Sequence, residues 1–324
     1  MCTVVTAQRM RRPLSEHHFG MRRPSDLPED MRHRGFTFAE AVAAGVTPQR
    51  LRASDLEAPF HGVRVARSAA AGALDGSLRD RCELIAPRLK SFQFFSHETA
   101  LALLGAPVPR WPYRPGIHVA AHRPAREPRT RGVIGHRLQS RDPAAGVRDG
   151  LPIEHPVRAW RQAGTLWAVD DLVGAADFLV ARRQPFATIE ELRHEVTVMG
   201  DVPGRALVRA LRDVREGAES PEETRLRLIL TRAGLPEPEL NWDLRDTAGR
   251  LIARLDLAYP AVRVGVEYDG RVHAEDARQF ELDADRWSAI ARAGWTHVRI
   301  LRHHMRGRHP LAIDMVRRAL NAAA

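Results

Sequence analysis

The chain has 324 residues, 44% of them hydrophobic, and carries a net charge of +10 with a pI near 10.9. This predicts two or three folded domains and excludes a chain disordered throughout. Two cysteines, Cys2 and Cys82, exclude a disulfide framework or a four-cysteine zinc site. No apolar run reaches membrane-spanning length, and the opening MCTVVTAQRMRRPLSEHHFG lacks the apolar core of a secretion signal, so a cytoplasmic protein with no membrane partner is expected. The positive balance, carried by arginine with Lys90 the one lysine, favours a phosphate-rich partner, nucleic acid first.

Residues 1–34 hold Arg, Pro and His without periodicity and read as a flexible basic arm. Residues 35–83 read as a winged-helix-like module: a helix over Phe38–Gly45, Thr47 capping a second short helix over Pro48–Ala53, then an extended piece at Phe60–Val65. The second helix offers Gln49, Arg50 and Arg52 as DNA contacts; a helical hairpin serving as a structural cap is the alternative. This order resembles the N-terminal domain of the AbiEi-type antitoxin family over about thirty residues.

Residues 84–216 read as a mixed α+β middle region. Ser96 caps a helix that stops at Gly105, and strand-like runs follow at Ile117–Ala120 and Val133–Arg137. The basic segment between them, HRPAREPRTRG, reads either as a hairpin loop gripping phosphate or as a solvated loop. Helices are expected at Val157–Ala163, Ala168–Arg182 and Thr188–Arg215, the last broken at Gly200–Gly204. No catalytic constellation stands out in this region.

Residues 217–324 carry the chemistry. GAES at 217–220 reads as a linker, and Ser220, Pro221 and Glu223 make a capping-box pattern for a helix with a Leu226–Ile229–Leu230–Ala233 stripe, ended by Gly234. Two strand-like stretches then flank Pro260. Alternation puts Glu267 and Asp269 on one face of the second, and Asp256 on a face of the first. A hairpin about Tyr259–Pro260–Ala261 brings Asp256 on or near the position facing Glu267. Carboxylates in strands are costly without a positive partner. A divalent ion, Mg²⁺ or Mn²⁺, is the simplest partner and is the equipment of phosphodiester hydrolysis. Gly270 lets the chain turn so that His273 can fold back over the site. A helix over Phe280–Ala293, stopped by Gly294, and a strand over Trp295–Leu301 complete a compact α/β sandwich.

Asp256, Glu267-Tyr268-Asp269-Gly270, His273, Asp283, Arg286, Gly294-Trp295 and Val298-Arg299, with Glu223, Thr224 and Arg227 on the preceding helix, resemble a domain family frequent in actinobacteria. That family is grouped with the very-short-patch-repair (Vsr-like) endonucleases of the PD-(D/E)XK, restriction-endonuclease-like superfamily. The resemblance covers about residues 218–320. It implies an α/β sandwich with a mixed sheet and a metal-dependent endonuclease acting on duplex or single-stranded DNA. Asp256, Glu267 and Glu223 would hold the metal, and His273 would serve as general base or acid. Arg227 and Arg286 would clamp phosphate. Asp269 stands where the superfamily has a lysine, so it either aids the metal or leaves the lysine's task to another group, and Trp287 replaces an expected acid.

Other readings of the same residues stay open. Glu223 also fits a plain capping role, Asp269 ordinary turn chemistry beside Gly270, and Asp283 with Arg286 a helix ion pair. The rival class is a DNA-binding regulator or antitoxin-like protein with a non-catalytic nuclease fold, and charge alone leaves RNA open as a substrate. Catalysis predicts that the carboxylates of Asp256 and Glu267 converge closely enough to share one ion, with an open path to solvent; carboxylates pointing apart, or capped by arginine salt bridges, favour the regulator.

Overall fold

A computed structural model describes residues 24–69, 76–110, 113–139, 141, 146–270 and 277–323, with residues 277–283 as backbone. Among these residues the architecture is mixed α/β, with three sheets and several helical segments. None of its helices is long and apolar enough to cross a membrane among the described residues.

The first unit is a three-stranded antiparallel sheet, β1 (Phe36–Thr37), β2 (Leu56–Glu57) and β3 (Val63–Ala66), in the order β1-β3-β2. Helix α1 (Phe38–Ala43) begins on a reciprocal cap: Glu40 N donates to Thr37 Oγ1 at 3.1 Å, and Thr37 N to the Glu40 carboxylate at 2.7 Å. Three expectations are corrected here. Residues 24–34 are not part of an arm, because Leu27 and Met31 are buried against Phe36, Ala41, Val46, Leu51 and Leu56; residues 1–23 lie outside the described residues. The helix expected over Pro48–Ala53 is a single 3₁₀ turn, Arg50–Arg52, shorter than a groove-reading helix. Arg50 is 8% exposed, held by Asp55 through two bonds of 2.8 and 2.7 Å and by the Ser25 carbonyl, so it is a structural residue and no DNA contact. Gln49 and Arg52 remain exposed.

The middle unit runs α2 (Leu78–Ile85), β4 (Gln93–Phe95), α3 (His97–Leu104), β5 (His118–His122), β6 (Ile134–Leu138), β7 (Gly146–Arg148), β8 (Leu151–Ile153), α4 (Pro156–Ala163), α5 (Val169–Leu179), α6 (Ile189–Met199) and α7 (Ala206–Asp213). Its sheet order is β6-β5-β4-β8-β7. Trp160, Phe95, Leu101, Leu172, Leu192 and Leu207 fill the core, which also takes in Phe60, Val63 and Val65 of the first unit. Strands β5 and β6 pair in parallel, with His118 beside Ile134 and Ala120 beside His136. The basic segment between them is therefore a crossover and not a hairpin loop. It returns so closely that a Cβ on Gly135 would lie 2.3 Å from the Pro128 carbonyl oxygen. Gly135→Ala is expected to destabilise the protein by about 1–3 kcal/mol, read as a lowered urea midpoint; an unchanged midpoint would refute this close approach.

The last unit is α8 (Pro221–Arg232), β9 (Glu239–Arg245), β10 (Leu251–Tyr259), β11 (Val264–Asp269), α9 (Ala277–Arg292), β12 (Thr296–Leu301) and α10 (Leu311–Ala323). The sheet order is β12-β11-β10-β9, antiparallel except for β11 with β12. Leu226 and Leu230 of α8 and Val316 of α10 pack on Leu257, Val264, Val266 and Ile300, while Ile290 of α9 packs with Leu255, Ala258 and Leu244. The sheet is thus covered by helices and the hairpin β10–β11 lies at its centre. Strand β9 is absent from the sequence reading, though Asp246 and Gly249 mark its turn: Asp246 Oδ1 accepts from the N–H of Ala248 and of Arg250, both at 2.9 Å.

Residues 217–220, expected as a linker, are packed: Ala218 is buried, and the Gly217 carbonyl accepts from Asn241 Nδ2 at 2.6 Å. The last two units are riveted together at α5 and α8. Arg227 and Asp177, each 1% exposed, form an ion pair at 2.8 Å. Thr224 Oγ1 and the Arg215 N–H also donate to Asp177, both at 2.8 Å. Arg227 therefore cannot clamp phosphate as expected: it faces the middle unit, not solvent.

Candidate functional site

Hairpin β10–β11 sets the first candidate site. Its pairs Leu257↔Val266, Ala258↔Gly265 and Tyr259↔Val264 place Asp256, one step further, across from Glu267. The Tyr268 N–H donates to Asp256 Oδ2 at 2.8 Å. Asp256, Glu267, Tyr268, Asp269, Gly270, Arg286, Trp287 and Arg299 line one cleft of about 310 Å³. Burial, then the nearby Glu223 carboxylate, then Glu267, push the Asp256 carboxyl up to about 7, against the Tyr268 N–H and Arg286. This acid is thus short of positive charge.

Glu267 is not. Arg286 Nη2 donates to its Oε1, and His297 Nε2 lies 2.8 Å from its Oε2. The same Arg286 nitrogen donates to the Arg254 carbonyl at 2.7 Å, fixing the guanidinium beneath the hairpin. Asp269 is held by Arg299, whose Nε donates at 2.8 Å and whose guanidinium lies 4.8 Å from the Trp287 ring centre. Glu223 is buried at the start of α8. Its N–H donates to Ser220 Oγ at 3.2 Å, but its carboxylate does not close the expected capping box; it accepts from Glu219 N at 2.9 Å and Asn241 Nδ2 at 2.8 Å. His273 lies outside the described residues, as does the side chain of Asp283.

The structure thus brings Asp256 and Glu267 together, sets Glu223 close enough to raise Asp256, and attaches an arginine to Glu267 and to Asp269. His297 was not among the sequence candidates, and Arg299 entered only as part of the resemblance, with no role of its own. The signal for both was present: alternate residues of THVRIL share a face with Glu267 and Asp269 once β12 runs parallel to β11.

A second candidate lies in the middle unit. Among the described residues, the three side chains gathered closely enough to hold a metal ion are His97, His118 and His136, and not a set of the acids above; their ligand nitrogens lie within 4.8 Å of one another. His97 opens α3, while His118 and His136 sit on the neighbouring strands β5 and β6. His118 Nδ1 is 2.8 Å from His136 Nε2, and the rings of His97 and His136 stack with centroids 3.7 Å apart. Burial, then the neighbouring imidazoles, hold His97 down to about 2; burial, then His118, hold His136 to about 4. Both are neutral, the form that binds metals. The cluster can therefore coordinate a metal ion.

Two uncharacterized proteins of Mycobacterium tuberculosis, one from each of two strains, are each 34% identical to this chain over 102 residues, covering 31% of it and 33% of their own length. The chain thus matches about a third of each of these relatives. No family model matches the chain, and no solved structure matches it at a significant level.

Proposed function

We propose that the last unit is a divalent-metal-dependent endonuclease core acting on DNA by phosphodiester hydrolysis. The observation that carries this is Asp256 facing Glu267 across a hairpin, in an open cleft, with its carboxyl pushed up by burial and by the Glu223 and Glu267 carboxylates. An all-oxygen donor set suits Mg²⁺ or Mn²⁺. Asp256 and Glu267 would hold the ion and Glu223 would support it, the role the resemblance to Vsr-like, PD-(D/E)XK enzymes implies. When bound, the metal would polarise a phosphate oxygen and lower the pKa of an attacking water. Arg286 would exchange Glu267 for the phosphate, and Arg299, beside Asp269, would supply the positive charge for which the superfamily uses lysine. The net charge of +10 supports a nucleic-acid substrate.

The cap on Glu267 favours a second reading, a DNA-binding regulator or antitoxin-like protein with a non-catalytic nuclease fold. One experiment separates them: Mg²⁺- or Mn²⁺-dependent cleavage of plasmid, single-stranded DNA and RNA by wild type, Asp256→Ala and Glu267→Ala. The enzyme reading expects both variants to lose more than the roughly 10–100-fold that outer-shell changes cost. Cleavage persisting in both would sink this site. No cleavage by wild type, with salt-sensitive DNA binding that survives both substitutions and weakens in Gln49→Ala/Arg52→Ala, would establish the regulator.

A further inference from the structure

We propose that His97, His118 and His136 form a zinc site with an exchangeable fourth ligand, separate from the carboxylate cleft of the last unit. Three imidazoles are a donor set for Zn²⁺ and its transition-metal neighbours, not for Mg²⁺. The ligand atoms follow from what the other ring nitrogens do. His97 Nδ1 bonds Ser96 Oγ at 2.9 Å, leaving Nε2. His118 Nε2 faces Glu98 Oε1 at 3.4 Å, leaving Nδ1. His136 points Nε2 at that same His118 Nδ1.

Around this cluster the structure supplies the outer support a metal-binding histidine uses, a carboxylate behind the ring. Glu98 is buried and anchored on three sides: Tyr113 OH, Trp167 Nε1 at 2.7 Å and Gly116 N at 2.7 Å all donate to it. The backbone of His97 is fixed too: its N–H donates to Gln162 Oε1 at 3.0 Å, and Gln162 Nε2 donates to Glu154 at 2.9 Å. His97 holds a positive φ of 52°, uncommon for a non-glycine residue. Three elements distant in sequence are thereby locked with their imidazoles in contact.

The cluster needs only a small adjustment to receive the ion. Zn–N bonds of about 2.0–2.1 Å in a tetrahedron set neighbouring nitrogens about 3.3 Å apart. The 2.8 Å between His118 Nδ1 and His136 Nε2 must therefore open by about half an ångström, the metal taking the place of the bridging proton, which moves to the other ring nitrogen of the imidazole that carried it. The stacked His97 and His136 rings must turn so that their lone pairs converge. His136 is half-buried, so this side of the cluster reaches solvent. With three protein nitrogens gathered, the fourth corner falls to water or a small anion, the pattern of reactive zinc rather than of closed structural zinc.

The test uses the full-length chain, stripped with a chelator and titrated with Zn²⁺ alone against a chromophoric competitor, and in parallel with Co²⁺. About one equivalent is expected at this cluster, falling below roughly a tenth in His136→Ala, with circular dichroism unchanged, while His122→Ala keeps full stoichiometry. Glu98→Gln should retain the stoichiometry and weaken affinity by about 10–100-fold. Azide should shift the Co²⁺ visible bands. No binding by wild type, or binding unaltered in His136→Ala, would overturn the site; bands indifferent to azide would overturn its exchangeable corner. The carboxylate cleft shares no residue with this cluster, so failure here leaves the nuclease reading untouched.

Discussion

Arg227→Met is expected to cost about 3–5 kcal/mol of stability, the loss typical when one partner of a buried ion pair is removed. The reason is geometric. Asp177 is 1% exposed and accepts from Arg227, from Thr224 and from the Arg215 N–H, so its charge has no solvent to fall back on. Burial already drives its carboxyl above the usual carboxylate range against the pull of Arg227. Without the guanidinium it is driven further, and the deficit should shrink in acid as the carboxyl takes up a proton. Asp177→Asn keeps an acceptor for the Arg215 N–H, so the double variant Asp177→Asn/Arg227→Met should recover part of the loss. Urea denaturation read at pH 7.5 and pH 5, with unchanged slope, measures each corner of the cycle. A single-variant cost below about 1 kcal/mol would show that the pair does not hold the two units together.

That ion pair also marks where sequence reasoning loses its footing. The apolar stripe of α8, Leu226 and Leu230, shows which side of the helix meets its own sheet. It says nothing of a second neighbour, and Arg227 and Thr224 point at one. A buried arginine and a phosphate-binding arginine have the same sequence signature. Arg50 misleads in the same way, since its partner Asp55 follows a turn too short to show periodicity.

Asp256 and Glu267 were readable because a strand's two-residue period and one Pro260 turn leave little freedom in register. The hairpin needed no long-range knowledge. The histidine cluster needed all of it. His97 lies just after Ser96 at a helix start, and His118 and His136 each sit in an ordinary short strand. They meet only because β5 and β6 pair in parallel across an eleven-residue crossover, and that pairing has no local signal. The arginine on Glu267 belongs to the same class: Arg286 shares α9 with the core residue Ile290, and only the helix's seat on the sheet decides that it reaches the hairpin.

Asp256→Asn tests whether this hairpin is built for a cation, and it should stabilise the protein at pH 8. The wild-type carboxyl rises from an ordinary 3.8 to about 7 through burial and the Glu223 and Glu267 carboxylates. Between those values the folded chain holds a proton that the unfolded chain has released, so stability falls as pH rises through the window and levels off above it. At about 1.4 kcal/mol per pH unit, discounted for partial exposure, the loss is on the order of 2 kcal/mol. Asparagine carries no charge to lose and still accepts from the Tyr268 N–H. The gain should therefore be small near pH 4, grow toward pH 7 and be constant at pH 8. Millimolar Mg²⁺ should raise the melting temperature of wild type at pH 8 and leave that of Asp256→Asn unmoved, because only the wild type has an ion to gain. A variant less stable than wild type at pH 8, or a gain independent of pH, would mean that Asp256 is a fold determinant satisfied by its neighbours, and the carboxylate pair would then lose its claim to be a metal site.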